Sequence, residues 1–224
     1  MELNADFTRR AVVHSAGLNW VSSPMAGVER RMLDRIGGEV ARATTIVRYA
    51  PGSNFSPHIH DGGEEFLVLD GVFSDEHGDY PAGSYIRNPP TSRHTPGSAP
   101  GCVLFVKLWQ FDLRDRTEIR LHTAGRVFAA DGPGVSALEL FQDARETVRL
   151  ETWTPGATIQ AAPVDGAEIL VLSGSFDESG EAFVAGSWLR LPPGAPLRAT
   201  AGPEGCRIWI KTGHLRAPVA RPPL

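Results

Sequence analysis

The feature that most constrains the fold is a repeat, because one pattern of short segments occurs twice in the chain. Segment 67–71, Leu-Val-Leu-Asp-Gly, returns as segment 170–174, Leu-Val-Leu-Ser-Gly. Other matched pairs are Pro51-Gly52 with Pro155-Gly156, Ala82-Gly83-Ser84-Tyr85 with Ala185-Gly186-Ser187-Trp188, and Gly101-Cys102 with Gly205-Cys206. Matched segments at offsets of 103 and 104 residues indicate two copies of one fold. The repeat therefore predicts two domains, residues 1–120 and 121–224.

Both copies have the composition of a protein built from short strands. The 224 residues include 24 glycines and 18 prolines, which are frequent where tight turns join strands. Segment 43–50 is rich in β-branched residues, and segment 102–110 is long and apolar. No long amphipathic helix is visible in the sequence. The pattern predicts an all-β fold, either a barrel or a sandwich.

The first copy contains a cluster of residue types that bind metals. His58 and His60 are two residues apart, so in a strand they project from the same face. The turn Asp61-Gly62-Gly63 follows, and a strand leaving it can direct Glu64 toward the two imidazoles. His94 follows a second stretch rich in glycine and proline. We therefore predict that these three histidines and Glu64 bind one divalent transition metal.

These residues form a pattern that resembles the cupin superfamily. The matching positions are Gly52, His58, His60, Glu64 and Gly71 in the first cupin motif, and Gly83, Pro89 and His94 in the second. Thr91 stands where the second motif has glycine, and Ser98 stands where it has asparagine. The resemblance implies a jelly roll, or double-stranded β-helix, in each copy. The chain is thus expected to be two tandem cupin domains.

Longer segments of the first copy resemble the cupin domain of the anti-sigma factor ChrR. Three of them are Gly-Gly-Glu-Glu-Phe-Leu-Val-Leu-Asp-Gly at 62–71, Glu-His-Gly-Asp-Tyr-Pro-Ala-Gly-Ser-Tyr at 76–85 and Arg-Asn-Pro-Pro at 87–90. The resemblance implies a regulatory module that senses oxidative stress. In that family a separate helical zinc domain with a Cys-x-x-Cys motif holds the sigma factor. This chain has no Cys-x-x-Cys, so we do not expect direct sigma-factor binding by that route.

The second copy lacks the metal-binding residues. Counting from the matched Pro-Gly pair places Ala162 and Val164 at the positions of the first two histidines, and a residue near Leu197 at that of the third. Glu168 matches Glu64 when counted forward from the lost histidines, but it matches Glu65 when counted back from the following glycine. We therefore predict a degenerate second domain that keeps the scaffold without the site.

Residues shared by both copies are expected to be structural. Cys102 and Cys206 occupy equivalent apolar strands, where a free cysteine behaves as a small buried hydrophobe. Arg87 and Arg190 are also equivalent, which favours structural salt bridges. The remaining histidines lack ligand-like spacing and are expected at the surface: His14, His77, His122 and His214.

Charge and hydropathy limit the partners of the protein. The net charge is −4, and no basic segment indicates nucleic acid or a membrane surface. No apolar run approaches the roughly 20 residues that a transmembrane helix needs. Segment 1–10 lacks the apolar core of a secretory signal. We therefore expect a cytoplasmic protein without nucleic-acid or membrane partners, while a small-molecule ligand and a homo-oligomer both stay open.

The sequence leaves the metal and its role open. Zinc and iron(II) both suit the ligand set, and nickel and manganese are compatible with it. The resemblance to ChrR favours a regulatory module, so no catalytic residue is assigned. The alternative is a non-haem dioxygenase for a small diketone-like or aromatic substrate, with a pocket lined by Phe66, Tyr85, Phe105 and Trp109. A third hypothesis is a metal-stabilised binding protein without turnover.

Overall fold

The computed structural model describes residues 1–38, 40–216 and 222, and nearly all of its regular elements are strands. The N-terminal strands are β1 (Glu2–Leu3), β2 (Ala11–His14), β3 (Val21–Ser22), β4 (Val28–Gly37), β5 (Ala41–Tyr49), β6 (Ser53–Asn54), β7 (His58–His60), β8 (Glu64–Asp75), β9 (Gly78–Pro81), β10 (Ser84–Asn88), β11 (Ser92–His94), β12 (Gly97–Ser98), β13 (Cys102–Leu108) and β14 (Ile119–His122). The C-terminal strands are β15 (Ala129–Ala130), β16 (Val135–Gln142), β17 (Thr147–Trp153), β18 (Thr158–Ala161), β19 (Ala167–Glu178), β20 (Glu181–Val184), β21 (Ser187–Leu191) and β22 (Leu197–Thr212). The one helical element in the described ranges is a 3-10 turn, Ser15–Gly17. The prediction of an all-β fold is confirmed.

The chain divides into two compact units that are not simply its two halves. The first unit comprises Met1–Ala5 and Asn19–Ala124. The second comprises Asp6–Leu18 together with the described residues from 125 to 216. Segment 6–18 thus precedes most of the first unit in sequence but belongs to the second. The assignment of a metal-binding domain to residues 1–120 and of a degenerate one to 121–224 stays a prediction.

The first unit is an antiparallel sheet system centred on β8. Its main sheet has the strand order β1-β4-β5-β13-β8-β10-β14. The first half of β8 pairs with β10 and β13, and its second half pairs with β9. Because side chains alternate along a strand, Phe66 and Val68 share one face of β8, and both belong to a buried cluster with Phe73, Ile86 and Leu104. Strands β7 and β11, which contain the predicted histidines, form a separate two-stranded ladder.

The second unit repeats this arrangement around its own core. Its strand order is β15-β16-β17-β22-β19-β21-β2, while β18 pairs with β22 and β20 with β19. The rings of Phe176 and Phe183 are stacked with their centroids 4.7 Å apart, and Trp153 lies 5.3 Å from Phe176. All three side chains are buried. Each copy of the repeat therefore buries enough apolar surface to form a core of its own.

Strand β2 closes the second unit in the same way that β14 closes the first. Strand β14 pairs with β10, and β2 pairs with β21, the equivalent of β10. His122 contacts Ser84 at 3.2 Å, and His14 contacts Ser187 at 2.9 Å. The hydroxyl of Thr123 donates to a backbone carbonyl at 2.7 Å, and that of Ser15 does so at 2.6 Å. The strand that closes the second unit therefore comes from the N-terminus of the chain.

The two shared arginines are each buried against a phenylalanine ring. Arg87 forms the predicted structural ion pair with Asp115 at 2.6 Å, and its guanidinium lies 4.1 Å from the centroid of Phe111. Arg190 lies 3.9 Å from the ring centroid of Phe7. It also donates to the backbone carbonyl of Asp6 at 3.1 Å. Both arginines are fully buried, so they are part of the scaffold.

The two cysteines are free thiols in the interior. Burial raises the pKa of Cys102 to about 11 and that of Cys206 to about 12, so both thiols stay protonated. The prediction that both are buried hydrophobes is confirmed.

Three of the four histidines outside the cluster, His14, His77 and His122, are exposed as predicted. The prediction for His214 was wrong. Its side chain is 2% exposed and contacts the buried carboxylate of Glu168 at 2.5 Å.

Candidate metal centre

The β7–β11 ladder brings the three predicted histidines to one place. His58 lies directly opposite His94 in this ladder, and alternation places His60 on the same face as His58. A tight turn then returns the chain, with the amide of Gly63 donating to the carbonyl of His60 at 3.2 Å. A side chain at Gly62 would collide with the ring of Trp109, and Gly63 has a φ of +77°. The two glycines therefore allow β8 to begin with Glu64 next to the imidazoles.

The three imidazole rings surround a common point. Their centroids are 4.7 to 4.9 Å apart, and the ring planes meet at 76° to 79°. The Nε2 atoms of His60 and His94 are 3.1 Å apart. The Oε2 atom of Glu64 lies 3.3 Å from the first and 3.7 Å from the second of these nitrogens. One potential ligand nitrogen from each of His58, His60 and His94 lies within 4.8 Å of the others, so this group is able to hold a metal ion.

Burial and charge set the protonation of these groups. Burial lowers the pKa of His60 below its usual value, which favours the neutral ring that binds metals. Burial alone would raise the pKa of Glu64. The nearby His60 and His94 rings and the amide of Asn88, 3.1 Å from Oε2, outweigh it and lower that pKa. Glu64 is therefore ionised at neutral pH and offers a carboxylate oxygen.

Asp75 supports His94 from the side opposite the cluster. Its Oδ2 lies 3.5 Å from Nδ1 of His94. Its Oδ1 accepts hydrogen bonds from the amide of His77 at 2.8 Å and from the hydroxyl of Tyr80 at 3.2 Å. Burial tends to lower the pKa of His94, but Asp75 and Glu64 raise it above its usual value. A carboxylate on one ring nitrogen fixes the tautomer and leaves Nε2 directed at the cluster.

The sequence analysis did not identify Asp75 or Asn88 as part of the site. Asn88 lies opposite Glu64 in the β8–β10 register, so a correct prediction of that hairpin would have found it. Asp75 reaches His94 because β12, which begins three residues after His94, pairs with the same end of β8 at Ser74. Its sequence context, a polar hairpin, carries no such signal.

We expect Asp75→Asn to weaken metal binding by roughly 10- to 100-fold, because outer-shell partners of ligating histidines usually have effects of this size. The asparagine keeps the volume of Asp75 but removes its charge. Titration of the metal-free protein with zinc or nickel would measure the change. Asp79→Asn is the matched control, since Asp79 is exposed in the same hairpin. Equal weakening by both variants would contradict the role of Asp75.

The structure corrects the match between the second copy and this site. The amide of Gly166 donates to the carbonyl of Pro163 at 3.2 Å, which repeats the bond between Gly63 and His60. With the β18–β22 register, this gives four counterparts: Ala161 for His58, Pro163 for His60, Ala167 for Glu64 and Leu197 for His94. The predicted counterparts Ala162 and Val164 were wrong by one residue, because the missing residue lies before the histidine positions.

The position of Glu168 is also settled by the strand register. Glu168 pairs with Arg190 and Lys211, just as Glu65 pairs with Arg87 and Lys107. Trp188 donates to Glu168 at 3.2 Å, and Tyr85 donates to Glu65 at 2.8 Å. Glu168 is therefore the counterpart of Glu65 and not of Glu64, and no counterpart of a predicted ligand carries a donor side chain.

The aromatic residues proposed to line a pocket do not all face the cluster. Phe66 lies on the same face of β8 as Glu64 and packs against Phe73, whose ring is 5.6 Å from that of His94. Tyr85 lies opposite Leu67 and donates to Glu65, so it belongs to the other face. Phe105 is likewise opposite Leu67. Trp109 packs over Gly62. The apolar ring next to His94 is thus that of Phe73, and Phe66 packs against Phe73.

Two antiparallel barrels, one of which contains a His-x-His pair, a glutamate and a third histidine, define the class of two-domain cupins. A family model described as the ChrR Cupin-like domain matches residues 8–112 and again residues 116–216. The chain therefore belongs to the ChrR Cupin-like domain family, and the prediction of two tandem cupin domains is confirmed. None of the curated proteins matches the chain in sequence.

Solved structures with the same fold include proteins that bind divalent metals. A provisionally assigned dioxygenase from Nostoc punctiforme has a TM-score of 0.73 and 15% identity, covering 100% of this chain and 87% of its own. The pirin YhhW from Escherichia coli, in complex with nickel(II), has a TM-score of 0.66 and 13% identity over 92% and 99%. Oxalate decarboxylase from Bacillus subtilis, which has Mn(II) centres, has a TM-score of 0.62 and 12% identity over 94% and 79%. At these identities the likeness shows the fold alone.

Within residues 1–38, 40–216 and 222, no helix has the length and apolar character that crossing a membrane requires.

Proposed function

We propose that the first unit binds one divalent transition metal through His58, His60, Glu64 and His94. The observation that carries the proposal is the convergence of three nearly perpendicular imidazoles and an ionised carboxylate on one point. Two donors that are each about 2.1 Å from one ion, at right angles, lie about 3.0 Å apart. The 3.1 Å between the nitrogens of His60 and His94 agrees with this value.

The alternative is a polar core without an ion, and the contacts argue against it. The facing Nε2 atoms of neutral His60 and His94 share at most one proton, in a single N–H···N hydrogen bond between the two rings. A buried carboxylate beside them adds a further acceptor. Such a set is costly to bury without full hydrogen bonding. A divalent cation, in contrast, binds the lone pairs of all these nitrogen and oxygen atoms at once.

Four protein ligands leave open positions on a metal that prefers five or six. His58 is the most exposed of the three histidines, so a small molecule would approach from its side. A bound divalent ion would supply Lewis acidity, and iron(II) would also supply oxygen chemistry. In that setting Asp75 and Asn88 hold the ligands in place. Phe66 and Phe73 keep water from the inner side of the cluster.

For the biological role, we favour a regulatory, stress-sensing module over an oxygenase, because the family match is to the ChrR Cupin-like domain. Direct sigma-factor binding is not part of the proposal. We take the protein to be cytoplasmic, with zinc or iron(II) as the native metal. Nickel and manganese remain compatible, as does assembly into a homo-oligomer.

The second candidate is a non-haem dioxygenase acting on a small diketone-like or aromatic substrate. The open positions on the metal and the apolar rings of Phe66 and Phe73 favour it. Metal analysis of protein purified without added metal, followed by oxygen-uptake assays with iron(II) and such substrates, separates the two roles. Stoichiometric metal without sustained oxygen uptake supports the sensing role. Sustained uptake that needs iron and substrate overturns it in favour of the enzyme.

Metal affinity is expected to fall on acidification from a pH above 6.5, because the pKa of His94 is raised and a protonated ring cannot bind metal. Below that pKa, lowering the pH by one unit should weaken metal binding about tenfold for each proton that the metal must displace from a ligand. Competition titrations between pH 8 and pH 5 would measure the slope. Asp75→Asn should move the start of this loss of metal affinity to lower pH, because the substitution removes a group that raises the pKa of His94. A flat profile would contradict imidazole ligation.

A further inference from the structure

A cavity of about 250 Å³ lies in the second unit, at the place that the histidine cluster takes in the first. The four counterparts of the proposed ligands all line it: Ala161, Pro163, Ala167 and Leu197. Their small or apolar side chains leave space that the surrounding residues do not fill. The cavity is open to solvent on one side, where Thr158, Gln160 and Ala161 are exposed. A small molecule can therefore enter it from solvent.

The wall of this cavity carries charges that the first unit lacks. The β17–β22 register places Arg149 and Glu151 where β5 of the first unit has Thr45 and Val47. Both charged residues line the cavity, and Glu151 is 4% exposed. The first unit has a valine at the position of Glu151, so a carboxylate at this place is particular to the second unit.

The charges around the cavity favour a cation. The guanidinium of Arg149 contacts Asp131 at 2.7 Å and also contacts Glu151. Glu151 accepts a further hydrogen bond from the indole of Trp153 at 2.9 Å. Two carboxylates against one guanidinium leave a formal excess of one negative charge. The rest of the wall includes apolar side chains: Val135, Ile159, Leu197 and Ile210.

We propose that this cavity binds a small organic cation, namely one aromatic ring with an ammonium group on a short chain. The apolar wall would hold the ring, and Glu151 and Asp131 would face the ammonium group. An apolar cavity of roughly 150 Å³ accepts benzene, so the larger volume here suits a ring with a few added atoms. This site is independent of the metal site proposed for the first unit.

The test is isothermal titration of the full chain with three probes of nearly equal shape: phenethylamine, 2-phenylethanol and phenylacetate. We expect phenethylamine to bind most tightly and phenylacetate to bind at least about tenfold more weakly. Glu151→Gln keeps the shape of the wall and should weaken the amine about tenfold while leaving the alcohol unchanged. Ala161→Phe, at an exposed lining position, should remove binding of the amine and the alcohol.

The proposal is overturned if no probe binds, if phenylacetate binds as tightly as the amine, or if Ala161→Phe leaves binding intact. Asp131→Asn, at the exposed rim, is a second charge variant should Glu151→Gln fail to fold. Metal content is measured in every variant. An unchanged value shows that the first unit is intact, so a failure of the cation site is distinguishable from a failure of the metal site.

Discussion

The double variant His58→Ala, His60→Ala is expected to retain no divalent metal, whereas the wild-type chain should hold about one ion. The two substitutions remove half of the proposed donors. Loss of a mere outer-shell partner weakens metal sites by roughly 10- to 100-fold, so loss of two ligands should exceed that range. Elemental analysis of protein purified without added metal gives the stoichiometry, and titration of the metal-free protein gives the affinity.

The matched control is His77→Ala, His122→Ala, which removes two exposed imidazoles from the same unit. We expect it to keep the full metal content, because neither ring lies in the cluster. Retention of the metal by the His58→Ala, His60→Ala variant, with normal folding by circular dichroism, would disprove the ligand set. Single variants of Glu64 and His94 would then show whether the remaining donors hold the ion elsewhere.

Deletion of residues 1–18 is expected to destabilise the second unit strongly while leaving metal binding in the first unit intact. The deletion removes β2 from the edge of β21 and takes the Phe7 ring away from the buried Arg190. It also removes several side-chain hydrogen bonds, each contributing about 1 kcal/mol. A loss of several kcal/mol lowers the Tm of a unit of this size by more than about 15 °C. Calorimetry should therefore show an early transition.

Deletion of residues 1–5 is the control, because it removes β1 from the first unit and leaves β2 in place. A synthetic peptide of residues 6–18, added to the longer deletion, should restore part of the lost stability by pairing with β21. Identical melting curves for the wild type and the longer deletion would show that β2 is dispensable. Loss of metal from the longer deletion would show that the first unit also depends on this segment.

Much of the first site was predictable because its signals are local. Period-two alternation alone places His58 and His60 on one face of a strand. The glycine pair at 62–63 then predicts the turn that returns Glu64. Asp75 and Asn88 were missed for the opposite reason. Each reaches the site through the register of a long strand, and neither residue type is distinctive in its own segment.

The wrong counterparts of His58 and His60 in the second copy have one origin. Counting residues from Pro155-Gly156 placed the missing residue after the histidine positions, but the strand register places it before them. Hydrogen bonding at Pro163 and Gly166 fixes the register where counting could not. His214 was expected at the surface because it lacks ligand-like spacing. Its side chain is buried because its ring contacts the buried carboxylate of Glu168.

The sequence by itself determined the all-β class, the two copies of one fold and the set of metal-binding residue types. Each of these follows from residue spacing within a short segment or from the repeated segments. Only the tertiary structure decided which unit segment 6–18 completes, since β2 carries no pattern that distinguishes β21 from β10 as a partner. It also decided that a charged wall and a cavity occupy the equivalent site in the second unit. Those features depend on which faces of distant strands meet, and strand pairing across long sequence separations leaves no local signal.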